Sequence, residues 1–439
     1  MSEQTGHVRC IVPGGEAVVC SQGQSWLVAQ ALPDEEIAFS PESKRRGAQR
    51  GLLQRVIRPS PLRIEPACKI AHLCGGCALQ SLDFKHHASL KSDWVMDAFR
   101  HVYRDQTLWI PIDAAQPFTS DLARRRVRWH VATSPEITLG FHQRSSHQVQ
   151  VQQHCMIVSP ELDVLRNSLQ AFWRASWRTQ AADGLPESVY AVLCSHGIHV
   201  VMESDAVTMD QAASWMLPEE GSSLPGAPIQ WWLRSQQITR PLNRPVHALY
   251  DLLPVKAGQC KVHIGPDDFV QGQMFGNRQM IEQIQAWSAD ARFVVDLFSG
   301  IGNLSLPLAV NGCRIRGAEV SEASVRAANA NAKYLKVDAS YLTADLFQAR
   351  ALQDHVGDWV GADVLIVDPP RKGAKQVCAL MQRLLPRRVI LVHCDSASAG
   401  RDAAVMQAQG YHLHALRALD LFAYSGHVES MSLWLPGAT

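Results

Sequence analysis

No apolar run in the 439 residues approaches the roughly 18 that a membrane-spanning helix needs, so a helical anchor is excluded and no membrane partner is expected. The opening "MSEQTGHVRC" lacks the basic-then-apolar pattern of an export leader, and a cytoplasmic protein is the expectation. An excess of charge is also missing, the formal net value being +1. There is neither an internal repeat nor a low-complexity tract. The eleven cysteines are an odd number in a chain without an export signal, which speaks against a disulfide framework. What remains is an ordinary globular composition, 46% hydrophobic and 19% charged, at a length that predicts about three domains.

The charge that is present is uneven. Seven basic residues (Lys44, Arg45, Arg46, Arg50, Arg55, Arg58, Arg63) face one acid, Glu42, between Pro41 and Arg63, and Arg124, Arg125, Arg126 and Arg128 follow later. Such runs are usually solvated faces. Two of them in one half of a near-neutral chain favour a surface that tracks phosphates.

Three cysteines fall as Cys68-x5-Cys74-x2-Cys77 in "CKIAHLCGGC". Gly75 and Gly76 allow the backbone to curl so that successive sulfurs face one centre. A fourth thiolate closes either a zinc site or a cubane, and Cys155, just after a predicted hairpin, is the best candidate. Spacing alone leaves zinc and iron–sulfur both open.

Periodicity divides the chain into three blocks. Residues 1–60 carry short alternating stretches between Gly, Pro and charged turns, a small β-barrel pattern. Residues 61–250 hold the cysteine loop, an amphipathic helix near 84–104, and antiparallel-looking strands such as "RRVRWHVA", "ITLGFHQ", "QVQVQQ" and "IHVVMES". From 251 to 439 apolar strands alternate with Ala-rich helices, which predicts a Rossmann-like, doubly wound α/β domain with a parallel sheet.

That last block carries the chemistry. In "DLFSGIGNLSLPLA", Asp296 ends the first strand, and Gly300 and Gly302 make a tight loop opening a helix. Ser305 stands where a dinucleotide fingerprint has its third glycine, so no pyrophosphate cradle is implied. An acid-led loop of this kind suits a ligand without phosphates, such as S-adenosylmethionine. Glu319 ends the second strand, placed for a ribose diol, and Asp345 ends the third segment, near an adenine amine. The fourth strand runs into "VDPPRKG", from Asp368 to Gly373. Arg371 occupies the position where exocyclic-amine methyltransferases carry a stacking aromatic, which disfavours N-methylation. No Pro-Cys dipeptide occurs, which disfavours a cytosine-C5 enzyme. The next strand delivers Cys394 at the sheet edge where doubly wound folds bind ligands. Uracil C5 is too poor a nucleophile to take a methyl group from a sulfonium directly; a thiolate added to C6 makes C5 nucleophilic. Cys394 is the candidate nucleophile, and Glu429, in "GHVESMSLW", the candidate base for the C5 proton.

With "PSPLRIEPAC", "CGGCALQ", "FVQGQ", "DLFSGIGN", "DPPRKG" and "GHVESM" in order along nearly its whole length, the chain resembles the RNA uracil-5-methyltransferase family, in its branch with an N-terminal TRAM domain and a [4Fe–4S] cluster. The resemblance implies cluster ligation by Cys68, Cys74, Cys77 and Cys155. It implies contacts to S-adenosylmethionine from Gln271, Phe298, Asn303, Glu319, Asp345 and Asp368, with Cys394 as nucleophile and Glu429 as base. The domain set favours 23S rRNA over tRNA, in a monomer with no obligate protein partner. A non-catalytic RNA-binding relative is the rival reading. The sequence departs from the family pattern at His393, Asp395 and Ser396 around Cys394, and at Gln273. Asp395 is expected to place a carboxylate beside the thiolate and raise its pKa.

Overall fold

The computed structural model describes residues 3–45, 47–113, 119, 122–150, 152–176, 184–205, 207–218 and 228–437. Five strands, β1 (Gln4–Ile11), β2 (Glu16–Ser21), β3 (Gln24–Ala29), β4 (Glu36–Arg45) and β5 (Ala48–Arg58), close into a barrel in the order β1-β2-β3-β5-β4. Alternate side chains point inward, so Val8, Ala17, Val19, Val28, Ile37 and Phe39 fill the interior. Closure leaves no strand edge unpaired.

A helix, His87–Phe99, and a short strand, β6 (Leu108–Ile110), come next. The sequence pattern groups them with the middle block, but they pack on the C-terminal sheet. Trp94, Val95 and Phe99 join its core, and β6 pairs in parallel with its last strand but one. A pairing of residues some 300 positions apart leaves no local signal.

The middle sheet has the order β13-β12-β11-β10-β7-β8-β9, from β7 (Arg126–Ala132), β8 (Thr138–His142), β9 (Val149–Gln150), β10 (Ser188–Cys194), β11 (Gly197–Glu203), β12 (Ile229–Ser235) and β13 (Ile238–Pro241). All its neighbours are antiparallel except β11 and β12. Val151, in the expected strand "QVQVQQ", lies outside the described residues. The helix Pro160–Ser176 buries Leu162, Leu165, Leu169 and Trp173, a stripe at helical spacing. Pro160 starts it and Glu161 and Asp163 sit in its first turn, which suits the positive end of the helix dipole.

A hairpin of β14 (Tyr250–Val255) and β15 (Gly258–His263) leads into the C-terminal sheet. Its strands are β16 (Phe293–Leu297), β17 (Arg314–Glu319), β18 (Ala339–Thr343), β19 (Val364–Val367), β20 (Val389–His393), β21 (Tyr411–Leu419) and β22 (Glu429–Pro436). The order is β18-β17-β16-β19-β20-β22-β21-β6. β16 to β20 are parallel, β22 runs antiparallel, and apolar cores cover both faces. The strand order reverses between β16 and β19, the switch point at which such folds bind ligands. Among the described residues, no helix is long and apolar enough to cross a membrane.

The three parts are bolted together around the segment 420–428. Gly14 of the barrel donates its N–H to the Gly426 carbonyl at 2.8 Å. Ala78 and Leu79, just past the cysteine loop, both donate to the Tyr424 carbonyl at 2.9 Å. The fully buried Lys91 ammonium donates to Asp420 at 2.7 Å and to the Phe422 carbonyl at 2.9 Å.

Candidate active site

Every acid singled out in the last block lies at the carboxyl edge of the parallel strands. Asp296, at the end of β16, is 1% exposed. The Ser305 hydroxyl donates to its Oδ2 and shares a hydrogen bond of 2.9 Å with the Tyr341 hydroxyl, so the serine replaces a third glycine with a clamp on the acid. Oδ1 is buried without a hydrogen-bond partner among the described residues. Burial, and then the nearby Asp368 and Glu319, push the Asp296 carboxyl up to about 7 against the hydrogen bond from Ser305. The loop that follows is built from left-handed backbone at Phe298, Gly300 and Gly302. At Gly302 a Cβ would stand 2.8 Å from the Tyr341 hydroxyl, so glycine is required there. The Phe298 ring lies 5.4 Å from that of Phe347.

Glu319 ends β17 with both oxygens held, one accepting from Ser321 N at 2.9 Å and the other from Gly300 N at 3.3 Å. Asp345, beyond β18, accepts from Phe347 N and Gln348 Nε2, each at 3.0 Å. Asn303 exchanges two hydrogen bonds with Asn277, of 2.7 and 3.0 Å. Gln271 donates to Asp368 at 3.4 Å, and burial pushes the Asp368 carboxyl up to about 7. Gln273, a departure from the family pattern, is fully buried and donates to the Leu122 carbonyl at 2.6 Å. It joins the last block to the segment ahead of β7.

Cys394 follows β20, and Glu429 begins β22. The antiparallel register pairs Val392 with Met431 and His393 with Ser430. Its next step sets Cys394 opposite Glu429. The thiol is half-buried, and burial, with Glu429 and then Asp368 beside it, pushes it up to about 12. Burial and Asp368 also raise the Glu429 carboxyl well above the usual range. The Arg371 guanidinium acts in the opposite direction on both groups. It donates to His427 Nε2 at 3.3 Å, and His427 is held down to about 4 by burial and then by Arg371. Asp395 does not do what was expected of it. Its carboxylate accepts from Ser398 N at 2.8 Å and N-caps the helix Ser396–Ala408, so the negative charges acting on Cys394 are Glu429 and Asp368 instead.

The four cysteines Cys68, Cys74, Cys77 and Cys155 line one small cavity of about 30 Å3, together with Gln80, Gln152 and Arg124. Cys68 Sγ donates to Gln152 Oε1 at 2.6 Å, and Gly76 N donates to Cys74 Sγ at 3.4 Å. Neither Gly75 nor Gly76 uses left-handed backbone. Burial pushes the Cys77 thiol up to about 12 and that of Cys155 to about 11, with neighbouring sulfurs adding to both. Among the described residues, no three His, Cys, Asp or Glu side chains converge on a position for a single ion.

The arginine runs divide in the structure. Arg125 is buried and ion-paired with Asp251, and donates to the Gln271 carbonyl at 2.9 Å, so it faces no phosphate. Arg128 pairs with Glu203, Arg50 with Glu16 and Arg63 with the buried Glu35. Arg46 lies outside the described residues, as do the side chains of Lys44 and Arg45. Arg124 and Arg126 meet Arg144, Arg371, Phe422 and His427 around a recess of about 340 Å3, closed on one side by Gly14 of the barrel. No acid is among the residues lining it. Arg144 carries no motif, and His427 stands in "GHVESM" without being marked out by it as a site residue; only folding gathers them here.

A doubly wound sheet with this series of acids at its carboxyl edge is that of an S-adenosylmethionine-dependent methyltransferase. The family model described as tRNA (Uracil-5-)-methyltransferase matches residues 246–436. The 23S rRNA (uracil(1939)-C(5))-methyltransferase RlmD of Dichelobacter nodosus is 30% identical, over 95% of this chain and 95% of its own. Its namesake from Pseudomonas putida is 30% identical over 96% and 91%. The crystal structure of Pyrococcus abyssi tRNA (uracil-54, C5)-methyltransferase in complex with S-adenosyl-L-homocysteine superposes with a TM-score of 0.73. That match covers 98% of this chain and 100% of the other at 17% identity, and shows a shared fold. The chain belongs to the RNA uracil-5-methyltransferase family.

Proposed function

We propose that the protein methylates C5 of one uridine in 23S rRNA, with Cys394 as nucleophile and Glu429 as base. The observation that carries this reading is the register that sets Cys394 against Glu429 at the carboxyl edge, next to Asp368. The Cys394 sulfur adds to C6 of the uracil as its proton passes to solvent, which leaves C5 nucleophilic. S-adenosylmethionine supplies the electrophilic methyl group. Glu429 then takes the C5 proton, the electron pair rebuilds the C5–C6 double bond, and the cysteine leaves. Glu429, raised far above its usual range, first gives up its own proton to solvent, a loss the Arg371 charge favours; the carboxylate then binds the C5 proton tightly. A thiol raised to about 12 is almost entirely protonated at neutral pH, so it must lose its proton as it attacks, and the Arg371 charge favours that loss.

Gln271, Phe298, Asn303, Glu319, Asp345 and Asp368 are the residues assigned to hold the cofactor. The fit is supported by the unpartnered Asp296 Oδ1 and by an acid series that suits a diol, an amine and a sulfonium and would repel phosphate. Cys68, Cys74, Cys77 and Cys155 would hold a [4Fe–4S] cluster. The Cys68, Cys77 and Cys155 thiols, raised by burial, line one cavity with Cys74, a sulfur set with an unmet need for cations. Irons that stand apart in a cubane take donors spread around a cavity, whereas one zinc ion draws its donors to a point. The cluster would cross-link the loop 68–77 to Cys155 and so brace the recess.

The barrel is assigned as a TRAM-like RNA-binding module. The acid-free recess of Arg124, Arg126, Arg144 and Arg371 would take the backbone of a splayed target strand. The choice of 23S rRNA rests on relatives that match nearly the whole chain and carry that substrate in their names, and such an enzyme works in the cytoplasm. The test is to map 5-methyluridine in rRNA and tRNA from cells with and without the gene. A 23S site lost with the gene is expected; loss confined to tRNA would overturn the choice of substrate.

A further inference from the structure

His393, the residue before Cys394, is 2% exposed and is one of the departures from the family pattern. Its Nε2 lies 3.0 Å from Asp402 Oδ2, with both side chains buried. The same carboxylate oxygen accepts the N–H of Ala374 at 2.6 Å. Gly373 presses on it as well. With its φ at +85°, an added Cβ would stand 2.7 Å from Oδ2 and 3.1 Å from Ser398 Cβ. One oxygen on the helix Ser396–Ala408 thus ties the end of β20, which carries Cys394, to the end of the loop 368–374, which carries Asp368 and Arg371.

We propose that the buried His393–Asp402 pair is a positioning device that fixes the Cys394 thiol relative to the Asp368–Arg371 loop. Those loop residues, after Glu429 on β22, are the ones whose charges act on the thiol. If the tie is cut, strand end and loop move independently, and the sulfur no longer meets C6 in a constant geometry. A misplacement of about 1 Å is enough to cost on the order of 100-fold in rate. The proposal rests on the reading of Cys394 as nucleophile. It makes His393 and Asp402 act through Cys394 and touch neither RNA nor cofactor.

The test follows covalent complex formation on a denaturing gel, using the full chain, S-adenosylmethionine and a 23S rRNA transcript containing 5-fluorouridine. His393→Leu keeps the volume and removes the donor, whereas His393→Gln carries an N–H to the same oxygen. The Leu variant is expected to form the complex about 100-fold more slowly at saturating RNA. Its half-saturating RNA concentration and its cofactor affinity should stay within about 2-fold of wild type, and the Gln variant should keep its rate within about 3-fold. A role in stability alone would reduce the folded fraction and would not be rescued by Gln. Should His393→Leu fail to fold, Gly373→Ala crowds the same carboxylate from the other side and should slow the complex by at least about 10-fold. A wild-type rate in either variant, or equal losses in Leu and Gln, would overturn the proposal. Absence of the complex in the wild type would overturn the reading of Cys394 itself, and the proposal with it.

Discussion

A carboxyl sealed beneath the switch point is costly to ionise, and Asp296 is such a group, raised to about 7 by its burial. Its effect on stability has a definite sign. Below about pH 4 the folded and unfolded forms both keep the proton. Between that and about 7 only the unfolded form loses it, so stability falls as pH rises and levels off above 7. In the cofactor-free protein, Asp296→Asn should therefore gain roughly 2–4 kcal/mol relative to wild type between pH 4 and pH 8, less whatever the altered Ser305 hydrogen bond removes. Cofactor affinity should drop at least about 10-fold. Chemical denaturation at the two pH values measures the first effect, and a pH-independent difference would contradict it. Motif order made the strand-end acids legible in the sequence. The sequence could not show that Ser305 and Tyr341 clamp one of them, because Tyr341 lies on β18, two strands away in the sheet. Asp395 shows the same limit in reverse: a carboxylate next to the nucleophile in sequence is turned away by the helix it caps.

Among the elements, four of the five parallel strands (β16, β17, β19 and β20) could be read from their apolar runs and their Asp, Glu and Cys ends, because buried parallel strands lack alternation and stop at polar residues. The fifth, β18, "ASYLT", is half-exposed and has no such run. The helix His87–Phe99 was legible only as a local pattern and β6 not at all, since what each packs on is decided by residues hundreds of positions away. The barrel's attachment was equally hidden. It depends on Gly426, where an added Cβ would fall 2.1 Å from the Gly14 carbonyl carbon. Gly426→Ala should therefore unseat the barrel turn from the rim of the recess, leaving the cofactor site intact. RNA affinity should fall about 10-fold at low salt and its dependence on salt should flatten, with cofactor affinity within about 2-fold. Filter binding across a salt series checks this, and an unchanged slope would mean that the barrel contributes no phosphate contacts. The point substitution is preferable to deletion of residues 1–60, because Trp94 donates to the Ile11 carbonyl at 2.9 Å and Leu32 lies in the C-terminal core.

Across the whole molecule, the barrel, the cysteine loop and the arginines ahead of β7 converge on the segment 420–428 that leads into Glu429. A cluster held by four cysteines would lock this convergence. The protein purified without oxygen should be brown and hold about four irons per chain. Cys74→Ser should lower the melting temperature as well as the activity, since the crosslink spans residues 68 to 155. A colourless anaerobic preparation with one zinc would reject the cluster. The barrel and the α/β sheet were legible in the sequence; the convergence was not, because Gly14, Ala78 and Tyr424 meet through backbone hydrogen bonds that leave no mark on residue type. The central claim is that Cys394 bonds to the RNA and Glu429 releases it. It is tested most directly by running wild type, Cys394→Ala and Glu429→Gln with labelled 23S rRNA and labelled S-adenosylmethionine on one denaturing gel. Wild type should turn over with little trapped complex, and Cys394→Ala should give neither complex nor methylated RNA. Glu429→Gln should accumulate a complex carrying both labels. Methylated RNA from Cys394→Ala, or free methylated product without a complex from Glu429→Gln, would contradict the account.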